Sequence, residues 1–129
     1  MIKLSTQEII ETNEDILMNA PGLKGTPDVG KLESALMRVD NHIMYAQMDD
    51  LFEIAALYGV AIAKAHAFPD GNKRTALVSV LTFLESSCVN TEEDDSIDDV
   101  MVKVAEGSMD VREFAEYLRG ISYAVRRKD

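Results

Sequence analysis

The sequence predicts an all-α fold: a compact bundle of about six helices around a central buried one. Three observations predict it. Apolar residues recur at three- and four-residue intervals in segment after segment. Residues 51–63 and 76–84 are apolar nearly all round, the mark of helices enclosed by neighbours. Nowhere do apolar and polar residues alternate long enough to make a convincing strand.

The chain has 129 residues and reads as one domain, 1–129. A chain of that size hides roughly two-thirds of its unfolded surface, enough for one core. There is no Trp and aromatics are 6%, so the core is expected to rest on Leu, Ile, Val, Ala and the seven Met. The net charge is −10 and the pI about 4.6. That argues against a nucleic-acid or anionic-membrane surface, because both need a basic footprint. No apolar run is long enough for a membrane span or a signal peptide, and the single Cys88 has no internal partner. A reducing cytoplasm is the compartment expected, with Cys88 a small apolar filler.

Ser5-Thr6-Gln7-Glu8 has capping-box spacing, and Ile9, Ile10, Ile16 and Leu17 then mark a first helix over about 6–18. Residues 19–27 hold two Pro and two Gly in nine positions and cannot continue it. This stretch is expected to be a flexible flap loop, and it could fold as a short hairpin. Asp28 caps a second helix carrying Leu32, Ala35, Leu36 and Val39. Asp40-Asn41 is a point where that helix can break, and His42 beside it reads as a solvated surface residue.

Asp49-Asp50 places acids at the positive end of a third helix. Its only charge up to residue 63 is Glu53, and Gly59 among several Ala points to close approach by a neighbouring helix. A second nearly apolar helix follows to about Ser86. Residues 90–99 read as an acidic loop. Ser96 then caps a fifth helix stopped at Gly107, and Ser108 or Asp110 caps a sixth stopped at Gly120. The tail Arg126-Arg127-Lys128 is basic.

Between the two buried helices lies His66-Ala67-Phe68-Pro69-Asp70-Gly71-Asn72-Lys73-Arg74-Thr75. Asp70-Gly71-Asn72 is a turn signal, and Asn72 opens the next helix. The first N–H groups of a helix have no internal partner, so a helix start is a ready anion site. An exposed charge gains only roughly 0.3–1 kcal/mol there, too little to hold a nucleotide. Lys73 and Arg74 add charge-assisted hydrogen bonds, Arg as a planar fork and Lys as a mobile point charge. His66 supplies an imidazole, the side chain suited to moving protons near neutral pH. Asp70, four residues on, can meet a Mg²⁺ that bridges phosphate oxygens. By role these are a base, a metal ligand, an anion hole of Gly71 and Asn72, and two cations: parts for phosphoryl or nucleotidyl transfer. The plainer reading is a capped turn with a His at a helix C-terminus and two solvated cations.

At these residues the chain resembles the Fic-fold proteins, whose signature runs His-x-Phe-x-Asp/Glu-Gly-Asn-Gly-Arg-x-x-Arg. Lys73 in place of the signature's second Gly is similar to the death-on-curing (Doc) branch, the toxins of bacterial toxin–antitoxin modules. Asp50-Leu51-Phe52-Glu53-Ile54-Ala55-Ala56, Ala63-Lys64-Ala65-His66 and Gly25-Thr26-Pro27-Asp28 also look like that branch. The resemblance spans nearly the whole chain and weakens after about residue 88. It implies the all-α Fic fold and an enzyme that uses ATP and Mg²⁺. Fic proteins usually transfer AMP to a hydroxyl; the Doc branch implies a kinase that phosphorylates a threonine of elongation factor Tu and arrests translation. His66 would be the general base, Asp70 the metal residue, and Gly71, Asn72, Lys73 and Arg74 the phosphate-binding set.

Two departures from the wider pattern bear on the choice. Lys73 stands where Fic proteins have Gly, and Leu77 stands where they have a second Arg. Both disfavour AMP transfer and favour movement of the terminal phosphate. With no inhibitory helix evident, the resemblance implies control by a cognate antitoxin that folds on binding. AMP transfer, or a catalytically silent antitoxin-binding module, are the alternatives.

Overall fold

A computed structural model describes residues 3–19 and 25–124. Six helices are present among them: α1 (Thr6–Asn19), α2 (Val29–Tyr45), α3 (Leu51–Ala65), α4 (Asn72–Ser86), α5 (Ile97–Glu106) and α6 (Val111–Gly120). The helix starts are written in the sequence. Ser5 and Glu8 form the expected capping box, with Glu8 N donating to Ser5 Oγ and Ser5 N to Glu8 Oε1. Asp28 accepts from Lys31 N, and Asp50 from both Phe52 N and Glu53 N. At α6 the cap is Asp110 rather than Ser108, in a reciprocal box with Glu113.

α3 is the central helix. Ile54, Ala55, Ala56, Tyr58, Gly59, Ile62 and Ala63 are buried along it, and α2, α4, α5 and α6 pack around it. Gly59 marks the tightest crossing: a Cβ there would stand 2.7 Å from Val80 Cγ2 and 2.8 Å from Phe114 Cε2. The core joins these residues to Ile9, Leu32, Phe83, Val104, Phe114 and Leu118.

Several expectations are corrected. α2 does not break at Asp40-Asn41. Asp40 accepts a 2.8 Å hydrogen bond from Tyr58 Oη of α3, and Ile43 continues the apolar stripe onto the core. Tertiary contacts outweigh the weak local propensity there. The polar stretch after α4 is not all loop: β1 (Val89–Thr91) pairs antiparallel with β2 (Ser122–Ala124). Three-residue strands are too short to show a period, and their pairing joins the exits of α4 and α6. Cys88 is exposed at the turn into β1, with φ 63°, so it is no core filler. Met18, Met37 and Met44 are also exposed, whereas Met101 is buried, so Leu, Ile, Val and Ala carry the core. Ser96 stands at the start of α5 without capping it; its hydroxyl bonds to Asp94 and Tyr117 instead. Of the 19–27 loop, residues 20–24 lie outside the described residues, as do Arg126, Arg127 and Lys128. Among the described residues no helix is long and apolar enough to cross a membrane.

Candidate functional site

The joint between α3 and α4 holds two residues in the left-handed region. His66 closes α3 at φ 49°, ψ 42°, and Gly71 stands before α4 at φ 76°. Between them Ala67 and Phe68 turn into the core, while Pro69 and Asp70 stay exposed. The loop is clipped from three directions. Asn72 Nδ2 donates to Phe68 O (2.9 Å) and its Oδ1 accepts from Phe68 N (3.2 Å). Asp70 Oδ1 accepts from Gly71 N (2.8 Å). From α1, the buried Asn13 Nδ2 donates to Asp70 O and to Thr75 Oγ1, each at 3.0 Å. The Ala67 carbonyl also accepts from Asp28 N at 2.6 Å, which joins the loop to the start of α2.

These contacts refine two assignments. The Asn72 amide is used to close the loop, so the backbone N–H is the group this residue has left for a ligand in the cleft. Gly71 is required by its positive φ and by α1: a Cβ there would stand 3.2 Å from Asn13 Nδ2 and 3.7 Å from Leu17 Cδ2. Within α4, Thr75 N is bonded to Gly71 O at 2.8 Å. The N–H groups of Asn72, Lys73 and Arg74 lie ahead of that bond, at positions with no intrahelical acceptor, and Gly71 supplies no side-chain cap.

All six residues singled out from the sequence, His66, Asp70, Gly71, Asn72, Lys73 and Arg74, line one cleft of about 470 Å³. That falls within the range of small-ligand sites. Leu77 also lines it, an apolar side chain where a further cation would complete a clamp. The opposite wall is α5, through Asp98, Met101, Val102 and Ala105. Sequence reasoning missed this wall and missed Asn13 and Thr75. Nothing local marks α5 or Asn13 as neighbours of the motif. A capping acid at the start of α5 is the only signal Asp98 gives.

The donor set suits a hard cation. Asp70 and Asp98 bring carboxylates to the same cleft, and Mg²⁺ takes one or two of these with water and phosphate oxygens completing its shell. No group of three or more metal-ligating side chains occurs among the described residues. On the other side of the loop, α1 and the 25–27 segment frame a second, more apolar groove of about 220 Å³, with Phe68 and Asn13 in its wall.

A helix start with two cations, an imidazole and a carboxylate thus share one cleft on an all-α scaffold. Residues 3–84, from α1 to near the end of α4, match the Fic/DOC family, and the chain belongs to that family. It is 37% identical over 119 residues to "Protein kinase doc" of Escherichia phage P1, an alignment covering 92% of this chain and 94% of that protein. It is 32% identical over 103 residues to "Toxin Doc" of Mycolicibacterium smegmatis, covering 77% and 79%.

Proposed function

We propose that this protein is the toxin of a toxin–antitoxin module and acts as a kinase, moving the terminal phosphate of ATP onto a protein hydroxyl. The observation that carries the reading is the cleft itself, where His66 faces the start of α4 with Lys73 and Arg74. The similarity to a protein named as a kinase and another named as a toxin supports it. The acceptor implied by the Doc resemblance is a threonine of elongation factor Tu.

In the proposed reaction His66 takes the proton of the acceptor hydroxyl. The freed oxygen forms a bond to the terminal phosphorus as the bond from that phosphorus to the bridging oxygen breaks, and ADP leaves with the bond's electron pair. Lys73, Arg74 and the first N–H groups of α4 hold the phosphates and offset the charge that develops. Mg²⁺, when bound, would neutralise phosphate oxygens, and Asp70 and Asp98 are the residues to hold it. Leu77 leaves the cleft short of one cation for a second phosphate grip, which favours transfer of the terminal group over AMP. The antitoxin is proposed to be a segment that folds on binding along the groove between α1 and Phe68, behind the motif loop.

The test incubates the protein with ATP, Mg²⁺ and elongation factor Tu and reads the adduct by mass spectrometry. A phosphothreonine is expected. An added AMP would replace kinase with adenylyltransferase, and no adduct with retained antitoxin binding would leave a silent binding module. His66→Ala should abolish the adduct while circular dichroism stays native, because the side chain is exposed.

A further inference from the structure

The acidic character of this chain is interrupted along one seam. Between α2 and α3 runs a groove of about 360 Å³, on a face that shares no lining residue with the transfer cleft. Its floor is a partly uncovered stripe of the central helix: Leu57, Val60, Ala61 and Ala65 are half-buried. Every charged or titratable side chain that lines it is basic, namely Arg38 and His42 of α2 and Lys64 of α3, and all three are exposed. Arg38 and His42 stand one helical turn apart on the same edge. Lys64 is held at the rim: its Nζ lies 3.2 Å from where a Cβ of Gly107 would stand, at the carbonyl end of α5. Tyr45, 93% exposed, continues the edge of α2 beyond His42.

A basic rim without a single lining carboxylate is improbable by composition in a chain with 23 acidic and 13 basic residues. An apolar floor between cationic rims fits one occupant best, and we infer that this groove docks an acidic amphipathic helix of a protein partner. Its apolar positions at i, i+3/i+4 and i+7 would lie on Val60 and Ala61, and its flanking carboxylates would meet Arg38, His42 and Lys64. A nucleic-acid strand fits worse, since the two cations Arg38 and Lys64 neutralise few phosphates and the net charge of −10 repels the remainder. The chain's own Arg126-Arg127-Lys128 carries the wrong sign for this rim. The inference goes beyond the kinase reading and does not depend on it.

The test is a titration of the isotope-labelled full chain with a peptide of about four helical turns, Leu on one face and Glu on its flanks. The control peptide has Lys in place of Glu. Saturable backbone shifts at Leu57, Val60, Ala61 and Ala65 are expected with the Glu peptide and not with the Lys peptide, weakening as salt is raised. The double change Arg38→Glu, Lys64→Glu, both on exposed positions, should weaken the Glu peptide at least about tenfold and admit the Lys peptide. Equal response to both peptides would overturn the inference, as would shifts confined to Ile10, Leu17 and Phe68. So would competition at these sites by inorganic phosphate alone, which marks a simple anion site. Self-association that the double change abolishes would also overturn it, by assigning the groove to a second copy of the chain.

Discussion

His66 occupies a conformation that an L-residue with a Cβ enters at a cost of roughly 1–2 kcal/mol. Glycine is the usual occupant of a helix end in this conformation. His66→Gly is therefore expected to raise thermal stability by about 1 kcal/mol while removing phosphotransfer, a trade visible by calorimetry beside the mass-spectrometric assay. A variant no more stable than the wild type would mean that the imidazole makes contacts offsetting the strain. The motif residues were legible in the sequence because they are contiguous. Asn13 was not: it meets Asp70 and Thr75 across 57 and 62 positions, and nothing on α1 announces a polar residue turned inward. Asn13→Ala should leave the buried Thr75 hydroxyl without this partner and cost about 1–3 kcal/mol. By loosening the Asp70 carbonyl it should also lower kcat by about a hundredfold, more than it raises KM. Asn13→Asp retains the shape but cannot donate to Asp70 O, so it should share the kcat loss. Faster amide exchange at Gly71 and Asn72 in both variants is the check, and unchanged kcat with faster exchange would separate loop order from catalysis.

Helix starts were readable because a cap is a local device: Ser5, Asp28, Asp50 and Asp110 each act within three residues of themselves. The uninterrupted α2 and the β1–β2 pair were not readable, since Tyr58 and Ser122 decide them from far along the chain. Gly59 shows both sides. The sequence suggests a close crossing, and the structure supplies the partners. Gly59→Ala gains up to about 1 kcal/mol of helix propensity. It also drives a methyl to 2.7 Å from Val80 and 2.8 Å from Phe114, in a core where overpacking costs typically about 1–3 kcal/mol. The second effect should win, so the midpoint of urea unfolding should fall. Gly120→Ala is the control, because a Cβ there meets nothing within 4 Å and only the propensity gain remains. A Gly59→Ala variant as stable as Gly120→Ala would show that Val80 and Phe114 can step aside.

The whole molecule carries 23 acidic against 13 basic residues, so lowering the pH from 7 toward the pI of about 4.6 relieves self-repulsion. Two hydrogen-bonded groups then bound the stable range. The Asp50 carboxyl is held below its ordinary value of 3.8, first by the Arg119 hydrogen bond at 2.7 Å and then by the N–H groups that it caps on α3. A carboxylate with a depressed folded pKa contributes stability that is complete above the unfolded value. It loses that contribution as the pH falls through the folded one, so this limb lies below about pH 4. Tyr58 sits at the other end. Burial raises its phenol above the ordinary 10.0, and the hydrogen bond to Asp40 raises it further. A raised folded pKa gives stability that is complete below the unfolded value and lost as the pH rises through the folded one, so this limb lies above about pH 10. Thermal unfolding followed across pH should therefore show stability level or rising from neutral to about pH 5, then a fall on each side. Asp50→Asn keeps an N-cap but gives up the ion pair, and should weaken only the acid limb. Tyr58→Phe should weaken only the alkaline one. An acid limb unchanged in Asp50→Asn would assign acid unfolding to the summed surface charge rather than to the tie between α3 and α6.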